Sequence, residues 1–310
     1  MSLLICIPKS MEPQVLSSAL SSLDSKLKIE IDSKKILNPN EVEFAVVWNQ
    51  HQDCLLSNFP NLKAISSYGH GVDNLLSDNS IPPGIPIVRL TSKVMADWMN
   101  EYLLAVVLMH RRQFLKHATS PKLFKWGVPS RLDGNMISIL GLGFLGRSAA
   151  NYFLNNGFNV AGWSRTQKKL KGIKCYKGED GLTQILRNTD FLINLLPLTA
   201  ETKYLLNCET LSKLKRGAYF INVGRGKTLV NEDLITLVES EHLSGACLDV
   251  FEVEPLPAKH PFWKHKKILI TPHNSSSTPP YSVAPQILEN YKRAISGKKL
   301  LNLVNLELGY

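Results

Sequence analysis

Short apolar runs rich in β-branched residues alternate with longer stretches of helical period along this chain. LLICIP (3 to 8), FAVVWN (44 to 49), LKAISSYG (62 to 69) and IPIVRL (85 to 90) are bounded by polar or Pro/Gly segments, which predicts strands with helices between them. A first α/β domain should therefore end near Leu90. Met95 to Lys116 keeps a helical pattern without Gly or Pro and reads as a helix crossing from one domain to the next. A second series of runs follows: MISILG (136 to 141), VAGWS (160 to 164), FLINLLP (191 to 197), AYFINVG (218 to 224), GACLDVF (245 to 251) and KILITPH (267 to 273). Strands separated by helices at this rhythm predict a parallel, doubly wound sheet. The tail holds a helix, ILENYKRAI, and an extended LNLVNLELGY that should pack back on the first domain. The predicted boundaries are 1–94 completed by 281–310 for one domain and 95–280 for the other.

The 310 residues suffice for two domains, and 44% hydrophobic with 20% charged residues is the balance of a soluble globular protein. The net charge of +10 favours anionic partners, but the basic residues are dispersed apart from KKLKGIK (168 to 174) and KHKK (264 to 267), so no nucleic-acid partner is expected. Five cysteines, odd in number and far apart, read as reduced core residues rather than a disulfide framework. MSLLICIP lacks the basic start and long apolar stretch of a signal peptide, and LLAVVLM from Leu103 is far short of a membrane span. A cytoplasmic location is the expectation.

GLGFLG, residues 141 to 146, sits between a predicted strand and the helix RSAANYFLNNG. In that setting Gly141 permits a tight turn, Gly143 lets a pyrophosphate approach, and Gly146 lets helix meet strand. The phosphates would face the amides near Phe144 and Leu145 at the helix N-terminus. The next strand ends in Ser164, Arg165 and Thr166, followed by Lys168 and Lys169, where an NAD-binding chain usually carries an acid for the ribose hydroxyls. Arg165 can clamp a 2′-phosphate with the two hydroxyls assisting, so NADPH is expected ahead of NADH.

Three residues carry the chemistry: Arg225 in NVGRG, Glu254 in LDVFEVEP and His273 in ITPH. A guanidinium can hold a 2-keto acid by its carboxylate and carbonyl oxygen, an imidazole can protonate that oxygen, and a carboxylate can keep the imidazole protonated. Taken singly, each has a bland alternative: a solvated Arg, a satisfied His, a Glu turning before Pro. Their joint placement after strand ends is the argument, and no plain binding module needs all three.

GLGFLG, INLLPLT, NVGRG, GACLDVFEVEPLP and ITPH, in this order, resemble the D-2-hydroxyacid dehydrogenase family over essentially the whole chain. VVWNQ, MADWMNEY, KWGVP, GWSRT and the terminal GY are similar to its NADPH-dependent glyoxylate/hydroxypyruvate reductase subgroup. The resemblance implies an α/β fold of two domains, a doubly wound (Rossmann) cofactor domain and a smaller flavodoxin-like substrate domain. It also implies a cleft between the domains and a homodimer built on the cofactor domains. By the same likeness Asp249 accepts from the nicotinamide carboxamide, and Leu196 and Pro197 line the adenine or ribose side. SYGHGVD (67 to 73), with His70 and Gly71, holds the substrate carboxylate, and Trp48 and Trp126 are pocket aromatics. For Asp249 a loop cap, and for the tryptophans a plain core position, is the alternative. Two positions depart from the pattern. His70 stands where the family often has a small residue, and HNSSST follows the histidine where a small or apolar stretch is usual. The expected activity is reduction of glyoxylate or hydroxypyruvate by NADPH, with no metal. The rival is a nucleotide-sensing binding protein, like the corepressors that share this fold.

Overall fold

The computed structural model describes residues 1–310 apart from 32, 34–35, 49–53, 120–125 and 127–130. One compact unit comprises Met1–Met95 with Ser277–Tyr310, the other Ala96–Ser276.

The first unit holds a five-stranded parallel sheet of β1 (Ser2–Cys6), β2 (Ile29–Glu30), β3 (Val42–Val47), β4 (Ala64–Ser67) and β5 (Ile87–Val88), in the order β2-β1-β3-β4-β5. This is the flavodoxin-like order. All five residues of β1 are buried because a parallel strand is covered on both faces. Leu3 and Ile5 pack on one side with α1 (Pro13–Leu23), while Leu4 and Cys6 pack on the other with Phe59 and with Leu75 of α2 (Asp73–Leu76). The tail belongs to this unit. It carries a helix, Pro280–Ile295, but LNLVNLELGY forms turns joined to β5 by a single antiparallel bridge between Val88 and Leu303. Strand β2 lay hidden in the sequence because KLKIE is too polar to stand out as an apolar run.

In the second unit β6 (Met136–Leu140), β7 (Asn159–Trp163), β8 (Lys174–Tyr176), β9 (Phe191–Asn194), β10 (Ala218–Asn222), β11 (Leu243–Leu248) and β12 (Ile268–Ile270) make one parallel sheet, ordered β12-β11-β10-β9-β6-β7-β8. Strand order reverses between β6 and β9, the switch point at which α/β sheets bind ligands. Ile137 and Ile139 of β6 face one core with Phe153 and Val107, and Leu140 faces the other with Leu192 and Phe220. The single helix expected over Met95 to Lys116 is two: α3 (Lys93–Arg111) and α4 (Phe114–Thr119), broken where Gln113 takes φ 54°.

Cys6 and Cys54 are brought together, their Cα atoms 6.6 Å apart, where cysteines far from one another were expected, while Cys175, Cys208 and Cys247 are free. Pairing of β1 with β3 sets Cys6 opposite Val47, close to where Cys54 follows in the chain, and no sequence spacing announces that proximity. No described helix is long and apolar enough to cross a membrane.

Candidate active site

At the switch point the glycine loop is shaped by what a side chain would strike. Gly141 has φ +100°, and a Cβ there would lie 2.7 Å from the Leu195 carbonyl; one on Gly146 would lie 1.8 Å from the Gly141 carbonyl. A Cβ on Gly143 would meet nothing within 4 Å. The loop is therefore tight against protein at its first and third glycines and open at its second. Gly143 is the N-cap of α5 (Phe144–Asn155), so the loop leads into the positive end of that helix. These features fit a dinucleotide pyrophosphate. Beyond β7, the Ser164 hydroxyl donates to the Thr166 carbonyl at 2.8 Å, and Arg165 and Thr166 are exposed. Segment 163–171 contains no carboxylate. Leu196 is buried, and Pro197 is half-buried with its carbonyl accepting from Thr202 at 2.6 Å.

Arg225 lies between two glycines that are each pressed against another loop. A Cβ on Gly224 would come within 2.8 Å of the Leu196 carbonyl, and one on Gly226 within 1.9 Å of the Phe251 backbone. The close approach at Gly226 sets the arginine loop directly against the loop that carries Glu254. A buried amide network then locks the arginine backbone. Asn194 Nδ2 donates to Asn222 Oδ1 (2.9 Å) and to Thr228 Oγ1 (2.8 Å), Thr228 Oγ1 donates to the Arg225 carbonyl (2.6 Å), and Asn222 Nδ2 donates to that same carbonyl (3.3 Å). All three side-chain owners have zero exposure. Sequence reasoning missed them, although each sits inside or beside a motif that it used. Polar residues ending otherwise apolar strands were the available signal.

His273 Nδ1 and Glu254 Oε2 are 2.7 Å apart, and Glu254 Oε1 accepts the Phe251 amide at 2.8 Å. Burial pushes the Glu254 carboxyl up, but the hydrogen bonds from His273 and Phe251 and the nearby Arg225 charge outweigh it and hold the group below its usual range. The imidazole thus faces an ionised partner. His273 itself adopts φ 52°, a left-handed conformation uncommon for any residue but glycine and one that neighbouring contacts must support. Asp249 supports it. Its carbonyl accepts the His273 amide (2.9 Å), and its fully buried carboxylate accepts Thr271 Oγ1 (2.6 Å) and the amides of Asn274 and Ser275 (2.9 Å each). Three of roughly four acceptor positions on this carboxylate are filled by the protein's own donors.

In the first unit, the Trp48 ring covers Gly69, where a Cβ would sit 2.3 Å from the ring. Only glycine admits that contact. His70 Nδ1 lies 3.3 Å from the Leu90 carbonyl, and the Ser67 hydroxyl donates to the Gly71 carbonyl at 2.8 Å. Trp126 is fully exposed, and its KWGVP neighbours lie outside the described residues. A cavity of about 450 Å³ opens at the opposite, amino-terminal ends of β6 and β7, lined by Asn135, Asn159, Lys174 and Asp190; it contains none of these site residues.

The strand order and the glycine loop define a dinucleotide-binding sheet, and the imidazole–carboxylate pair beyond it makes the molecule a dehydrogenase by class. The chain belongs to the D-isomer specific 2-hydroxyacid dehydrogenase family, whose NAD binding domain matches residues 104–275. It is 38% identical over 275 residues to a glyoxylate/hydroxypyruvate reductase A of Serratia proteamaculans, covering 86% of this chain and 88% of that one. It is 35% identical over 299 residues to the protein so named from Yersinia enterocolitica, covering 94% and 95%. Among solved structures, a D-isomer specific 2-hydroxyacid dehydrogenase of Xanthobacter autotrophicus Py2, in complex with NADPH and MES, superposes with TM-score 0.94 at 36% identity over 100% of this chain and 99% of that one. An NADPH-dependent glyoxylate/hydroxypyruvate reductase of Sinorhizobium meliloti, in complex with NADP and sulfate, superposes with TM-score 0.92 at 31% identity over the whole of both chains. These relatives support an oxidoreductase and not the nucleotide-sensing alternative.

Proposed function

We propose that the protein reduces a small 2-keto acid, glyoxylate or hydroxypyruvate, to the 2-hydroxy acid with NADPH. The observation that carries this reading is the 2.7 Å pair of His273 and Glu254, set beside an arginine loop packed on the glutamate's own loop. When bound at the glycine loop, the nicotinamide cofactor supplies the hydride. Arg225 binds the substrate carboxylate and carbonyl oxygen and stabilises the charge that develops there. His273 Nε2 gives its proton to that oxygen, and Glu254 at Nδ1 fixes the ring orientation and favours the imidazolium. Ser164, Arg165 and Thr166 take the 2′-phosphate, the amides of Phe144 and Leu145 take the pyrophosphate, and Leu196 and Pro197 line the nucleoside. Trp48, His70 and Gly71 serve as substrate contacts. The NADPH and NADP complexes of the relatives support the cofactor choice.

A homodimer and a cytoplasmic location complete the reading. Exposed Trp98 and Leu108 on α3 and Phe114 and Leu115 on α4 support the dimer, since large exposed apolar side chains suit burial against a second copy. Initial rates of NADPH and NADH oxidation with glyoxylate, hydroxypyruvate and pyruvate test the function. NADPH turnover that falls about a thousandfold in Arg225→Ala or His273→Ala is the expected result. Tight NADPH binding without turnover on any of the three acids would overturn it.

A further inference from the structure

We propose that Tyr102 and Thr271 are positioning residues for His273, acting through Asp249. The inference rests on the assignment of His273 as the proton donor. Tyr102 Oη lies 2.6 Å from Thr271 Oγ1, which donates to Asp249 Oδ1 at 2.6 Å. A hydroxyl has one proton, and that of Thr271 is committed to the carboxylate, so Tyr102 must be the donor to Thr271. Cys247 Sγ is 3.3 Å from the phenol oxygen, and its thiol can donate there in turn. Burial pushes the Tyr102 phenol far up and the Cys247 thiol up to about 12, so both keep their protons at neutral pH. Every proton in the row points toward the charge of Asp249, an order in which each bond strengthens the next.

The row ends on the histidine's backbone. Asp249 grips the amides of Asn274 and Ser275 directly after His273, and Thr271 stands two residues before it, so the carboxylate spans the left-handed residue from both sides. Releasing Thr271 would free one flank of that grip and let the imidazole drift from Glu254. Tyr102, on α3, ties the grip to a helix whose Leu103 and Val107 are packed in the core of the same unit.

The test compares Thr271→Val, which keeps the shape and loses the hydroxyl, with Tyr102→Phe and with Thr271→Ser as the conservative rescue. Two readouts are taken: the downfield proton resonance of the His273 Nδ1–Glu254 hydrogen bond in the folded protein without cofactor, and kcat and KM for NADPH-dependent glyoxylate reduction. The resonance should broaden or vanish in Thr271→Val and weaken in Tyr102→Phe, with kcat down about tenfold in the former and KM for NADPH within about twofold. Thr271→Ser should restore both. An unaltered resonance in the two variants, or an unaltered kcat in an active enzyme, would overturn the proposal. If the native chain turns over no keto acid, the functional reading fails, and the resonance still decides whether the row positions the ring.

Discussion

His273 Nδ1 and Glu254 Oε2 meet at 2.7 Å across 19 residues of sequence, one on the loop after β12 and the other on the loop after β11. Neither loop has regular structure to hold it, so the pair depends on Asp249 under the histidine and on the Phe251 amide under the glutamate.

That pair sets a pH dependence. The Glu254 carboxyl is held below its usual 4.5, so the carboxylate keeps its full charge above that value and loses it only as pH falls through the depressed one. Glu254→Gln removes the negative partner while keeping a hydrogen-bond acceptor. We expect kcat at neutral pH to fall about 30- to 100-fold and the optimum for reduction to move to lower pH, measured from full pH–rate profiles.

Arg225→Lys tests the fork rather than the charge. A lysine cannot bind carboxylate and carbonyl oxygen as a planar pair of donors, so kcat/KM for the keto acid should drop about a hundredfold with the dissociation constant of NADPH unchanged. Fluorescence titration with NADPH alongside steady-state kinetics separates the two.

Two of the loop glycines should behave differently. Gly143→Ala adds a methyl to open space, so the cofactor-free variant should melt at the native temperature while binding NADPH at least about tenfold more weakly. Gly146→Ala places the same methyl against the Gly141 carbonyl and should lower the melting temperature before any cofactor is added. Calorimetry with and without NADPH distinguishes them.

Asn222→Leu leaves Asn194 Nδ2 and the Gly224 amide without their shared acceptor in a site with no access to water. A buried donor left unsatisfied costs about 1–3 kcal/mol, and the arginine loop should loosen with it. Urea unfolding should show the loss, and kcat/KM should fall although residue 222 touches no reactant.

Elsewhere, His110 is stacked on Tyr219 with ring centroids 3.8 Å apart, and burial pushes it down from 6.5 to about 4. A base with a depressed value is stable while neutral, so its contribution is whole above about 6.5 and is lost progressively as pH falls toward 4. Each pH unit in that window should cost at most about 1.4 kcal/mol. His110→Phe should flatten the acid side of a stability-against-pH curve measured by urea unfolding.

The chemical residue types and the supporting glycines were readable in the chain, because strands and helices have periods of their own and a tight turn demands glycine. The loop GLGFLG, the arginine between two glycines, and the histidine after a strand all stand out in the sequence itself. The basic turn after β7 was legible in the same way. The flavodoxin-like order of the first sheet and the switch point of the second came instead from pairing between strands distant in sequence. So did the approach of Cys6 to Cys54, the contact of Gly226 with Phe251, and the row from Tyr102 to Asp249. A residue's type and local period are properties of the chain. Which buried carboxylate holds which loop is a property of packing, settled only when every donor in the interior has found its acceptor.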